Sequence, residues 1–318
     1  MRTGIVLALL ATMLVCSSFA TPLYAVGSTS EAWVSGTFGM DSNASTSCQR
    51  TAPCATLSTA LGVTAPGGIV SCADPSATIG PIAISQDVTI DCSATGVVVN
   101  LSCLGGDGII INTAGINVTL RGLTVVGPPC AMAPVGIDIT AAATVRMEQC
   151  KISGFTTAGV EIAPSAGNID VKIQDSTITK NVGGILITPT GGASVVMSVE
   201  RSQIENSTAG GLKANGSGGP ITLSVSESSI SQNAANGLNA VSSSSNVMVN
   251  LSRDVIASNG LAGVQANEGN AAVTIDNTSI LNNAIALSAD SGGRILTYGN
   301  NRIVGSSGTG FTGPAALQ

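Results

Sequence analysis

Histidine is absent from the 318 residues, aromatic residues make up 2% of them and charged residues 9%. Without histidine the chain has no ordinary proton shuttle near neutral pH and no imidazole ligand, which excludes Ser-His-Asp, Cys-His and His-metal chemistry. Scarce rings exclude a core built on large side chains. Lys plus Arg number 12 against 18 Asp plus Glu, with no basic tract. No phosphate-neutralising surface follows from that balance, so no nucleic-acid partner is expected. What the chain does hold is small: 44% hydrophobic residues, nearly all Ala, Val, Ile and Leu, and 39 glycines. Such a composition suits short strands and tight turns.

Met1 and Arg2 open a short positive segment, Ile5 to Ala20 are almost uninterruptedly apolar, and Thr21 to Ala25 include the helix breaker Pro22. That pattern predicts a signal peptide over residues 1–25, cleaved after Ala25 or after Ala20. At about 16 residues the apolar run is short of a bilayer span, and no later segment approaches that length, so no transmembrane anchor is expected after cleavage. Of the 8 cysteines, Cys16 falls in the leader, and the bulky Val15 before it argues against a lipoprotein anchor. The rest are odd in number: Cys48, Cys54, Cys72, Cys92, Cys103, Cys130 and Cys150. In an oxidising compartment Cys48 and Cys54, close together in one polar loop, are the best disulfide candidate, while the other connectivities stay open.

The strongest signal is a repeat. Val145, Val171, Met197, Leu223, Val249 and Val273 form one register, Met147 to Ile275 a second two residues on, and Ile152, Ile178, Ile204, Ile230, Ile256 and Ile280 a third, all with steps of 26, 26, 26, 26 and 24. A spacing of two is strand alternation. The next small residue (Cys150, Ser176, Ser202, Ser228, Asp254, Thr278) comes three later, so the chain bends there. After the isoleucine a turn carries asparagine, read as Asn181, Asn206, Asn233, Asn259 and Asn283, and then glycine with an aliphatic opens a third strand, as in Gly184-Ile185 and Gly211-Leu212. Three short strands and three bends describe one coil of a parallel β-solenoid, in which like stacks upon like. The fold class is therefore all-β, a solenoid of about eight to nine coils over 67–305, a rod of roughly 40 Å at about 4.8 Å per coil. Residues 26–66 form a cap region in which Leu57 and Leu61 share one face of a short helix, Pro53 suits its first turn, and Pro66-Gly67-Gly68 ends it. Residues 306–318 are a C-terminal tail.

These features resemble the pectin-lyase-like superfamily of right-handed parallel β-helices, and especially secreted bacterial β-helix repeat proteins. The likeness runs from about residue 33 to 303. It is carried by the run Cys48 to Leu57, by Ala65-Pro-Gly-Gly-Ile-Val70, by the repeats and by the closing Tyr298-Gly-Asn-Asn-Arg302. The resemblance implies the fold. Members range from lyases and epimerases to adhesins, so it does not choose a reaction. The polygalacturonase pattern needs a Gly-His-Gly element, which this chain lacks.

For enzymes of the lyase type, the resemblance implies calcium ligands and a basic residue on the outside of one strand per coil. Aligning the glycine-aliphatic strands puts Ile110, Asp138, Glu161, Leu186, Lys213, Asn239 and Gln265 in that outward column, with Thr140, Thr188 and Asn215 two positions on. Asp138 and Glu161 would stack on adjacent coils and could share a hard cation. Lys213 would lie two coils further, separated by Leu186. A solvated strand face would show the same scatter of polar residues. Asp175, Arg201, Glu227 and Arg253 recur at the bend with alternating sign, which reads as a salt-bridge ladder.

The expected function is that of an exported, non-catalytic envelope or extracellular protein of a bacterium, periplasmic or exterior, whose polar face (Asp138, Thr140, Glu161, Thr188, Lys213, Asn215, Asn239, Gln265) meets a polysaccharide or another surface component. The alternative is a calcium-dependent lyase-like enzyme on acidic polysaccharide, with Asp138 and Glu161 as metal ligands and Lys213 as catalytic base. No feature demands an oligomer.

Overall fold

The computed structural model describes residues 27–78, 81–100, 105–128, 133–305 and 308–315. The leader expected over 1–25, together with Cys103 and Cys130, lies outside the described residues. Three sheets of parallel strands, with 12, 10 and 9 strands, run along the chain and are called here the first, second and third sheet. In one coil Asn168–Gln174 belongs to the first sheet, Thr177–Thr179 to the second and Gly183–Ile187 to the third, after which the chain returns to the first at Ser194–Glu200. That order recurs from Thr64–Cys72 to Ile285–Asp290. Each strand pairs with its equivalents one coil away: Val171 with Met197, Ile178 with Ile204, Ile185 with Leu212. The sequence registers are therefore columns inside a parallel β-solenoid. The isoleucines of the third register (Ile152, Ile178, Ile204, Ile230, Ile256 and Ile280) are each at most 1% exposed, and truncating one to alanine should cost roughly 2–5 kcal/mol.

The slip in alternation has a backbone cause. Between the first and second sheets one residue per coil adopts a left-handed conformation: Gln149, Asp175, Arg201, Glu227, Arg253 and Asn277, with φ between 44 and 60°. This residue turns the chain, and the small residue after it then points inward. Those small residues hydrogen-bond in series. The amide of Ser176 donates to Ser202 Oγ and that of Ser202 to Ser228 Oγ, both at 3.1 Å, while Ser202 Oγ donates back to the carbonyl of Glu200 at 2.8 Å. Asp254 takes the same place with a carboxylate, Oδ1 accepting from the Ser228 amide at 2.8 Å and Oδ2 from the Ser252 amide at 2.9 Å. The bend is closed by one column of side chains, so the backbone there needs no water.

The turn between the second and third sheets corrects one expectation. Its buried column is Asn181, Ser207, Asn233, Asn259 and Asn283, not Asn206, which sits one residue earlier, exposed, at φ 56°. Asn206 belongs to a second left-handed series with Lys180, Gln232, Ser258 and Asn282, a conformation that asparagine tolerates well. The buried amides fill the turn: Asn259 Nδ2 donates to the Ile230 carbonyl at 3.0 Å and to Asn283 Oδ1 at 2.9 Å. They also explain the glycine of the third strand, since a Cβ on Gly237 would stand 2.6 Å from Asn259 Nδ2.

A helix at Leu57–Val63, capped by the Thr56 hydroxyl accepting from the Thr59 amide, buries Leu57, Ala60 and Leu61 at the N-terminal end of the core. Pro53 is not in its first turn. It precedes the cap, and its carbonyl accepts from Met40 and Asn43. The helix ends at Val63, and the strand Thr64–Cys72 begins at once and runs through Pro66-Gly67-Gly68. Ahead of the helix, Thr29–Val34 adds a further strand to the first sheet. At the other end Gly313–Pro314 pairs with Leu296 and Thr297, and Phe311 packs on the core. Cys48 is bonded to Cys54, and Cys72 to Cys92. Among the described residues no helix is long and apolar enough to cross a membrane.

Candidate functional site

The third sheet forms the outward column anticipated from the sequence. Ile110 pairs with Asp138, Asp138 with Glu161, Glu161 with Leu186, Leu186 with Lys213, Lys213 with Asn239 and Asn239 with Gln265. Asp138 and Glu161 are thus brought together, half-buried, while Lys213 stands exposed two rungs beyond Glu161 behind Leu186. In the next outward column Thr140, Thr188 and Asn215 are half-buried. Thr140 sits at a register shift, because Ala141 rather than Thr140 faces Asn112. Asn215 is committed to its own turn, its Oδ1 accepting from the Ser217 amide at 3.1 Å. Gln265 is held by Asn236 and Asp290 at 2.8 and 3.0 Å.

A third acid joins the pair. Asp107 precedes the strand Ile109–Asn112, and its Oδ1 accepts from the Val135 amide at 3.0 Å. Burial, and then the charge of Asp107, hold the Asp138 carboxyl above the usual range. Burial, Asp138 and Asp107 do the same to Glu161. Three repelling carboxyls are what a cation would neutralise. Yet among the described residues no group of three or more His, Cys, Asp or Glu side chains is placed to hold a metal ion, and calcium takes about six to eight oxygens. The side chains here do not fit the calcium cage that the resemblance implies.

Beside Lys213 the surface is concave. A groove of about 250 Å³ lies beside the third sheet and its preceding turns, with Leu186, Lys213, Asn236 and Asn239 among its lining residues. Within it Asn239 Oδ1 is buried from solvent and has no hydrogen-bond partner. Sequence reasoning missed Asp107 and Asn236, because both lie on connections whose positions a strand alignment does not order. It also missed the groove. The one available signal was the pair Asn236-Gly237, a turn dipeptide directly before an aligned strand.

The bend residues pair less continuously than expected. Arg201 grips Asp175 through Nε and Nη2 at 2.8 and 3.1 Å, and Arg253 meets Glu227 at 2.9 Å. Among the described residues no ion pair joins Arg201 to Glu227. Arg201 instead lies 3.8 Å from Glu200, which also binds Lys172 at 3.2 Å. The result is separate pairs rather than one ladder. Cys150 is buried among these bends, and burial pushes its thiol up to about 11. It is a packed thiol in the hydroxyl column and not a nucleophile.

Among curated proteins no relative matches the sequence. Among solved structures the chain is similar to pectate lyase Pel9A, at 14% identity and a TM-score of 0.56, covering 92% of this chain and 80% of that one. It is also similar to the A-module of the mannuronan C-5 epimerase AlgE4 of Azotobacter vinelandii, at 14% identity and a TM-score of 0.51, covering 79% and 89%. At these identities the likeness is one of fold. The family described as the right handed beta helix region matches residues 82–254 and 158–313, together well over half of the sequence. With stacked coils, inward columns and that match, the chain belongs to the right-handed β-helix family.

Proposed function

We propose that the protein is an exported, non-catalytic glycan-binding β-helix that presents the groove beside Lys213 to a polysaccharide. The observation that carries this reading is the groove itself, in which the polar side chains of Lys213, Asn236 and Asn239 stand beside Leu186. Lys213 stands exposed on the rung next to Asn239 to meet a carboxylate or hydroxyl, and Leu186 offers an apolar surface to a sugar ring. Asp138 and Glu161 extend the polar track along the same column as hydrogen-bonding carboxyls. Two similar folds carry names that tie them to pectate and mannuronan, which supports a polysaccharide as the partner class. Two disulfides support export, since such bonds persist in oxidising compartments.

One observation favours catalysis instead: the raised carboxyls of Asp138 and Glu161, because perturbed titration clusters at active sites. In that reading Lys213 removes a proton beside a uronate carboxylate. The test for both is a glycan array run alongside a uronate-turnover screen.

A further inference from the structure

The first sheet carries a second outward column, on a different face from the groove beside Lys213 and independent of it. Register pairs place Trp33 beside Ser71, Ser71 beside Asp91, Asp91 beside Arg121, Arg121 beside Glu148 and Glu148 beside Gln174. Every rung is polar or aromatic, and successive rungs are about 4.8 Å apart, close to the length of one pyranose unit. Two hollows lie along this edge. One of about 280 Å³ has Trp33, Arg50 and Asp91 on its walls, and the next, of about 320 Å³, has Arg121, Glu148, Gln149 and Gln174. Asp91 and Ser93 line both, so the hollows form one trough. Arg50 lies over one face of the Trp33 ring, 4.8 Å from its centroid.

We propose that this trough binds a neutral oligosaccharide, the Trp33 indole packing on one sugar ring while Asp91, Glu148 and Gln174 take hydrogen bonds from hydroxyls. The chemistry is that of sugar recognition: a flat apolar ring beside planar side chains with paired acceptors and donors. The charge pattern selects against an acidic chain. Arg121 is already engaged by Glu148 at 2.8 Å and Asp91 at 3.7 Å, and the protein as a whole carries −6.

Trp33 is the only tryptophan in the sequence, so its emission reads this trough directly. Cellohexaose, xylohexaose and mannohexaose are titrated against the full chain, with hexagalacturonate as the acidic comparison. The expected result is a saturable emission change with at least one neutral sugar, weakened about tenfold or more in Asp91→Ala and in Gln174→Ala. Calorimetry on Trp33→Phe should show the same weakening. Gln174→Ala removes no ion pair, so it serves if Asp91→Ala disturbs the fold. No saturable response to the neutral sugars, a tighter response to hexagalacturonate, or full affinity in Gln174→Ala and Trp33→Phe overturns the proposal. A trough whose charges serve only to bind coils together would give those results.

Discussion

Asn233 donates from its side-chain amide to Asn259 Oδ1, one coil on, at 3.0 Å. The same oxygen accepts the Asn233 backbone amide at 3.1 Å, and Asn259 Nδ2 reaches back to the Ile230 carbonyl. Each asparagine thus closes a turn in its neighbour, and the column breaks at Ser207, whose buried Oγ has no partner.

Ser207→Asn should therefore mend the column. Gly184 occupies the place of the glycines that make room for the other amides, so the larger side chain has space. Thermal unfolding should show a gain of about 0.5–1.5 kcal/mol, the net worth of one or two hydrogen bonds. Asn259→Ala should lose about 2–4 kcal/mol, because it strands buried donors on both sides.

Asp254 makes stability depend on pH. Burial pushes its carboxyl up to about 7 from an ordinary 3.8, against the backbone amides of Ser228 and Ser252 and the charge of Arg253, which pull it down. Between those values the folded chain holds a proton that the unfolded chain has released. The stability contributed by the group is complete below about pH 4 and is lost as pH rises through about 7. Asp254→Ser restores the hydroxyl of the column. Relative to the native chain it should gain on the order of 1–3 kcal/mol at pH 8 and little at pH 4, as read by denaturant unfolding at both pH values.

Cys150 should resist alkylation in the folded protein at pH 8, since burial holds it as a thiol. Peptide mapping after iodoacetamide treatment should find it unmodified until denaturant is added. Cys150→Ser should change stability by less than about 1 kcal/mol, because serine already fills the equivalent place at Ser176 and Ser202.

The columns were legible because a solenoid stacks like on like: the registers of Val171, Ile173 and Ile178 needed only spacing. The placement of Asn206 failed because residue type was followed where the 26-residue step points to Ser207. Both residues tolerate the turn, and only burial distinguishes them. Pro53 was misplaced because its fixed φ suits a loop before a helix as well as the helix start. At the site, alignment ordered Asp138, Glu161 and Lys213 correctly along one sheet. It could not supply Asp107 or Asn236, whose positions depend on how connections of unequal length fold against that sheet.

The central claim is that the groove beside Lys213 holds a glycan without transforming it. An array of acidic and neutral polysaccharides, probed with the native chain and with Lys213→Ala, Asn239→Ala, Asp138→Ala and Glu161→Ala, tests it most directly, with absorbance of unsaturated uronate followed on the same ligands. The account predicts binding that falls about tenfold in Lys213→Ala and Asn239→Ala, falls less but survives in Asp138→Ala and Glu161→Ala at the far end of the track, and yields no absorbance. Calcium-dependent absorbance that disappears in Lys213→Ala, or glycan binding indifferent to both Lys213→Ala and Asn239→Ala, would contradict it.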